Sequence, residues 1–137
     1  MIAIDTNVLV YRFDFNEPVK QQKSVLLLRQ LVFDKETLMQ WQVLAEFLRQ
    51  ISRWQQEGTI TSVRKRRYLK PVRRMFPVAL PSEPIIDRAL DLFDRYSLSH
   101  WDSMLLAACL EANVDTLYTE DMGAPRQVDS ISLVNPF

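Results

Sequence analysis

The stretch MIAIDTNVLVY, residues 1–11, constrains the fold of this chain more than any other. An apolar β-type run, Ile2 to Ile4, stops at Asp5, passes through Thr6 and Asn7, and resumes as Val8, Leu9 and Val10. This places a carboxylate where a buried strand should end. In an open parallel α/β sheet the first strand often lies centrally, and ligands collect outside the carboxyl ends of the strands.

The rest of the chain fits such a sheet. Glu17 and Pro18 open a predicted helix with Val25, Leu28, Leu31 and Val32 at helical spacing. A short strand is expected over Thr37 to Met39. A helix follows, with an apolar stripe of Trp41, Leu44, Phe47, Leu48 and Ile51 and Gly58 as its stop. Thr61 or Ser62 should cap the next helix, which Pro71 is expected to kink or split. Another short strand is predicted within Met75 to Leu80. Beyond Pro84 comes a helix in which Ile86, Leu90 and Phe93 are expected to face inward while Asp87, Asp91 and Asp94 face out. A helix from Trp101 to Ala112 is apolar nearly all round and so should be central. Strands over Thr116 to Thr119 and Ser130 to Val134 close the pattern. Strands alternating with helices imply parallel βαβ units with right-handed crossovers. The expected architecture is therefore α/β, one domain over residues 1–137, with a mostly parallel sheet of four or five short strands flanked by helices.

A chain of 137 residues is long enough to bury a core without staples. Zero formal net charge points to no partner by itself. The single cysteine, Cys109, excludes an internal disulfide and a cysteine-based zinc cluster, and it suits a reducing cytoplasm. The apolar N-terminus has no basic flank and is broken by Asp5, so it reads as a strand and not as a signal peptide. No apolar run approaches the roughly 20 residues that span a bilayer.

Zero net charge conceals a division. Glu57 is the lone acid between Arg49 and Arg74, whereas Arg88 and Arg95 are the only bases from Glu83 to Asp121. The Asp87, Asp91 and Asp94 face reads as a solvated helix face. For Arg64-Lys65-Arg66-Arg67 and its continuation through Lys70, Arg73 and Arg74, a phosphate-binding surface and a solvated helix face are equally good readings.

Four carboxylates fall where this fold can bring them together. Asp5 ends the first strand, Glu46 lies in the second predicted helix, Asp102 opens the apolar helix, and Asp121 follows a late strand. Each has an ordinary alternative. Asp5 beside Thr6 and Asn7 is common turn chemistry. Glu46 lies opposite the Leu44, Phe47 and Ile51 stripe and shares its face with Arg49, to which an i,i+3 ion pair is worth a few tenths of a kcal/mol. Asp102, three residues after Ser99, fits a helix cap. Asp121 fits loop surface. Taken jointly, acids gathered in one cleft repel and drift toward protonation unless a cation offsets them, and hard oxygen donors suit Mg²⁺ or Mn²⁺. Such a metal activates water and neutralises charge on a phosphate, alone or as one of a pair.

The series MIAIDTNVLVY, LAEFLRQ, LSHWDSMLLAACLEA and LYTEDM resembles the four acidic motifs of PIN-domain nucleases, and the length and spacing resemble VapC-type toxins of bacterial toxin–antitoxin pairs. The resemblance implies a metal-dependent ribonuclease in which Asp5, Glu46, Asp102 and Asp121 hold one or two Mg²⁺ or Mn²⁺ ions, with Thr6, Asn7 and Thr119 in supporting positions. It turns Glu46 toward the groove and leaves the fourth acid open between Asp121 and its neighbour Glu120. It further implies an RNA substrate in the translation machinery, a homodimer, a cognate antitoxin and a cytoplasmic location. Arg12, Arg49 and Arg53, together with Arg64, Arg66 and Arg67, are the candidate RNA contacts. The lone His100 rules out a histidine-pair ribonuclease mechanism within one chain. Trp41, Trp54 and Trp101 suit base stacking in type, but their helical spacing favours core or interface. The competing reading is a catalytically silent module that keeps the fold and binds RNA or protein.

Overall fold

The computed structural model describes residues 1–34 and 36–137. In chain order the elements are β1 (Ile2–Ile4), α1 (Thr6–Phe13), α2 (Pro18–Val32), β2 (Thr37–Gln40), α3 (Trp41–Gln56), α4 (Ser62–Met75), β3 (Val78–Ala79), α5 (Ile85–Tyr96), α6 (His100–Glu111), β4 (Thr116–Tyr118), β5 (Arg126–Val128) and β6 (Ile131–Val134). The strands form one sheet in the order β3-β2-β1-β4-β6-β5. All pairings are parallel except β5 with β6. From β1 the chain fills the sheet on one side through β2 and β3, and then on the other through β4 and β6. The strand order therefore reverses between β1 and β4, and a ligand crevice belongs outside their carboxyl ends.

Local chemistry sets the boundaries. Pro18 occupies the first turn of α2, where its missing N–H is harmless. The Thr61 hydroxyl accepts from the Arg64 N–H at 3.1 Å and caps α4, and the Ser99 hydroxyl accepts from the Asp102 N–H at 3.2 Å and caps α6. Gly58, at φ +78°, turns the chain just beyond α3, a conformation that costs a residue without Cβ little. The helix α6 is buried along Leu105 to Cys109, as its composition requires. It packs chiefly on α5, whose buried face includes the small Ala89. No helix is long and apolar enough to cross a membrane among the described residues.

Five expectations need correction. Val8 to Val10 do not resume a strand: Thr6–Phe13 is helical, because Asp5 accepts from the Thr6 N–H at 2.6 Å and starts a helix there. The sheet has six strands, the missed one being the short antiparallel edge β5. Helix α4 runs unbroken through Pro71. In α5 the buried face is Ile85, Ala89 and Leu92, while Ile86, Leu90 and Phe93 are exposed. In α3 it is Val43, Phe47 and Ile51, while Trp41 and Leu48 are exposed.

Candidate active site

The backbone of β1 delivers Asp5 and that of β4 delivers Thr119 to the same sheet edge. The Asp5 N–H donates to the Tyr118 carbonyl at 2.9 Å, and the Thr119 N–H donates to the Val134 carbonyl at 2.9 Å, so both residues continue the ladder past the strands. Their side chains then meet. The Thr119 hydroxyl donates to Asp5 Oδ2 at 2.7 Å, while Asp5 Oδ1 takes the first amide of α1. Asn7, in the first turn of that helix, donates to Asp121 Oδ2 at 3.1 Å and lies 3.5 Å from both Asp5 Oδ2 and the Thr119 hydroxyl. The Asp121 N–H is held by the Thr119 hydroxyl at 3.0 Å. Residues more than a hundred positions apart are thus tied into one polar web.

Helix α3 contributes the third arm. The Thr6 hydroxyl donates to Glu46 Oε2 at 2.7 Å, and Gln42, one turn earlier on α3, donates to Glu46 Oε1 at 2.8 Å. Gln42 also donates to the Trp101 carbonyl at 2.9 Å, which draws the first turn of α6, with Asp102, against the same group. A stripe through Leu44 and Leu48 would set Glu46 opposite the core, but that stripe is not the buried one. With Val43, Phe47 and Ile51 inward, Glu46 lies only about 60° of helix rotation from Val43. That is the border of the core and not its back.

The structure also separates the two candidates for the fourth acid. Glu120 accepts from the Tyr11 hydroxyl and from Lys20 Nζ at 2.9 Å, whereas Asp121 is joined to the web through Asn7. Nothing local in the sequence signals the Tyr11–Lys20–Glu120 group, whose members come from α1, α2 and the loop after β4.

The acids feel one another. Burial, reinforced by the charges of Asp121 and Glu46, pushes Asp5 up to about 6 despite the hydrogen bonds from Thr119 and Thr6. Asp102 is raised chiefly by burial and then by the same two carboxylates. Among the described residues no three histidine, cysteine or acidic side chains close into a compact metal cage. The donors are instead carboxylate oxygens, set apart yet electrostatically coupled, with the Asn7 side-chain carbonyl buried and unpartnered beside them. Such a set fits Mg²⁺ or Mn²⁺, which keep several waters and use one or two carboxylates directly. A closed tetrahedral zinc site requires a tighter set.

Arg49 and Arg53 line a concavity of about 250 Å³ with Thr6, Glu46 and Gln50. Arg12 instead lies over the Phe13 ring at 5.4 Å, its Nε buried without a partner among the described residues. The basic stretch of α4 divides. Arg66 shares a concavity with Lys70, Arg73 and Arg74, Arg64 lines another with Tyr68 and Trp54, and Arg67 is exposed. None of these lines the concavity that Glu46 shares with Arg53 or the cleft that it shares with Trp41. Trp54 is half-buried, while Trp41 and Trp101 are 51% and 59% exposed, so of the expected core or interface positions neither of these two is in the core of the chain.

A family model described as PIN domain matches residues 2–129. Among curated proteins no sequence matches the chain. Solved structures similar in fold include the following three. A toxin–antitoxin complex from Klebsiella pneumoniae has a TM-score of 0.71 at 19% identity, covering 100% of this chain and 98% of the other. VapBC2 from Rickettsia felis, bound to a DNA fragment from its promoter, has a TM-score of 0.73 at 16% identity, covering 97% of each chain. VapC20 of Mycobacterium tuberculosis, a toxin that cleaves the sarcin–ricin loop, has a TM-score of 0.69 at 13% identity, covering 96% of this chain and 99% of the other.

Proposed function

The chain belongs to the PIN-domain family, and from that premise we propose that it is a metal-dependent endoribonuclease, the toxin of a VapBC-type pair. The observation that carries the proposal is the convergence of Asp5, Glu46, Asp102 and Asp121 from four elements onto the reversal point of the sheet, the first, second and fourth tied by Thr6, Asn7 and Thr119 and Asp102 coupled to Glu46 and Asp121 by charge. A silent module has no need to gather repelling carboxylates, because in a protein that binds no cation their proximity is a cost.

Asp5, Glu46, Asp102 and Asp121 would hold Mg²⁺ or Mn²⁺. When bound, such an ion supplies an activated water and neutralises charge on the phosphate under attack. The chain's own residues do the positioning. Thr6 and Gln42 fix both oxygens of Glu46, and Thr119 fixes Asp5. Asn7 holds Asp121 toward the centre. Arg49 and Arg53 stand beside Glu46 to take RNA phosphates, while Arg64, Arg66 and Arg67 would meet the strand farther out. A structured RNA of the translation machinery as substrate, an antitoxin partner and a homodimer complete the proposal. The similar structures, a toxin–antitoxin complex, a promoter-bound VapBC pair and a sarcin–ricin-loop-cleaving toxin, support it.

The test uses protein freed of any co-purifying partner, incubated with total cellular RNA and Mg²⁺ or Mn²⁺ beside Asp5→Asn and Asp102→Asn. Discrete fragments from the wild type alone, abolished by chelator, are expected. Equal cleavage by the variants would sink the reading.

A further inference from the structure

Beside the acid web lies a second cleft, of about 390 Å³, that the chemistry above does not use. Trp41 opens α3 and Trp101 is the second residue of α6, so the first turns of two helices present large aromatic rings to solvent at its walls. Its remaining walls are mainly apolar, from Pro81, Ile85 and Met104. The Trp101 ring is steadied edge-on by His100, with centroids 4.6 Å apart, and Trp41 has no aromatic partner among the described residues. Both rings therefore keep a face to offer.

We infer that this cleft takes an unstacked nucleobase of a single-stranded RNA segment whose neighbouring phosphate lies at Arg49. The inference rests on the nuclease reading and gives its site a base-binding pocket. Its first support is continuity: Glu46 and Arg49 line both this cleft and the concavity beside Thr6, so a strand reaching the acids passes the mouth of the cleft. Charge is the second. Among the described residues the one cation on the lining is Arg49, at the shared boundary, where a backbone phosphate would lie when its base points inward. Hydrogen bonding is the third. Gln42 commits its side-chain amide to Glu46 and to the Trp101 carbonyl, so among the described residues its carbonyl oxygen remains to accept from a base N–H. Single-stranded RNA is read in this way, by aromatic stacking with a few polar contacts at the base edge.

A protein partner fits the cleft less well than it fits the adjoining surface. The exposed Ile86, Leu90 and Phe93 of α5 form an aliphatic and aromatic stripe that contains none of the four acids. The Trp cleft opens instead onto a carboxylate and an arginine.

The experiment measures binding by the full chain in chelator, where no cleavage occurs. Short single-stranded homopolymers of each of the four ribonucleotides are compared with an abasic ribose-phosphate oligomer of the same length. The proteins are wild type, Trp41→Leu, Trp101→Leu and, as an aromatic control, Trp101→Phe; circular dichroism confirms that each is folded. The expected result is tighter binding of at least one homopolymer than of the abasic oligomer. Each leucine variant should lose that preference by about tenfold, Trp101→Phe should keep most of it, and affinity for the abasic oligomer should stay level. Equal affinity for base-bearing and abasic oligomers in the wild type would overturn the inference. So would leucine variants that change self-association in sedimentation but not RNA affinity, since the cleft would then be a protein interface. Failure of the nuclease reading is separate: it shows as absent metal-dependent cleavage, whatever the Trp variants do to base preference.

Discussion

Replacing Asp5 by Asn should make the metal-free protein more stable while abolishing its activity. Asp5 is 6% exposed and its carboxyl titrates near 6 instead of 3.8, mainly because burial penalises the charged form. The folded state therefore holds this proton more tightly than the unfolded chain does, and stability falls as pH rises from about 4 through about 6. At about 1.4 kcal/mol per unit, the fully ionised carboxylate costs about 3 kcal/mol. Asparagine removes the charge and keeps an oxygen for the Thr6 N–H, but its amide must donate where Asp5 Oδ2 now accepts from Thr119. Turning that hydroxyl around offsets about 1 kcal/mol, leaving a net gain of about 2 kcal/mol, or roughly 8 °C in Tm for a domain of this length. The assay is thermal unfolding in chelator at about pH 7.5 and about pH 5. The gain should shrink at the lower pH, where wild-type Asp5 is itself largely protonated. Excess Mg²⁺ or Mn²⁺ should reverse the ranking, because only the wild type gains binding free energy, about 2.7 kcal/mol at a hundredfold excess over Kd. An Asn variant destabilised equally at both pH values would show that the hydrogen bonds outweigh the buried charge, and the reasoning would fail.

Other outcomes follow from the same geometry. Thr6→Val removes the hydroxyl that fixes Glu46 Oε2 and should weaken metal affinity, read by calorimetry, by about 10–100-fold. Replacing both Arg49 and Arg53 by Ala should make the salt dependence of RNA binding shallower by roughly 0.7 for each phosphate that is no longer neutralised, and an unchanged slope would remove them from the RNA path. Phe47, wholly buried in α3, should cost about 3–5 kcal/mol on truncation to Ala, measured by denaturant unfolding. Thr61→Ala deletes the cap of α4 and should cost about 1 kcal/mol by the same measurement.

The parallel sheet and the elements carrying the acids are legible in the sequence, because short apolar runs, Pro18, Thr61, Ser99 and Gly58 are local signals with local causes. Helix faces are less legible. Helix α5 carries apolar residues on two stripes, Ile85-Ala89-Leu92 and Ile86-Leu90-Phe93. Bulk favours the second, yet close approach to α6 selects the one containing Ala89, and only the partner helix decides that. The same ambiguity rotates α3 and puts Glu46 on the wrong side. Helix α1 is hidden because Val8, Leu9 and Val10 favour strand by type, and the cap that overrides them is the acid assigned to metal. Strand β5 is short and at the edge, with one buried residue, too little pattern to read.

That overlap of roles at Asp5 removes a choice that the residue alone seems to force. A turn cap and a ligand look like competing readings of one side chain, and so do a helix-start carboxylate and a ligand at Asp102. In the fold Oδ1 of Asp5 takes the amide that opens α1 while Oδ2 receives Thr119, so a single carboxylate ends β1, begins α1 and faces β4. Asp102 lies in the first turn of α6, where the Ser99 hydroxyl takes its N–H and hydrogen bonding with that same side chain also favours the ionised carboxylate. Helix N-termini tolerate negative charge because their unpaired N–H groups and dipole offset it. Two of the four mutually repelling acids are thus placed where the backbone itself lowers the cost of gathering them. Glu46 and Asp121 have no such support and are held by side chains instead, Thr6 and Gln42 for one and Asn7 for the other. Substitutions at Thr6, Gln42 or Asn7 should therefore disturb metal affinity more than removal of the Ser99 cap does, which titration of each variant with Mn²⁺ would decide.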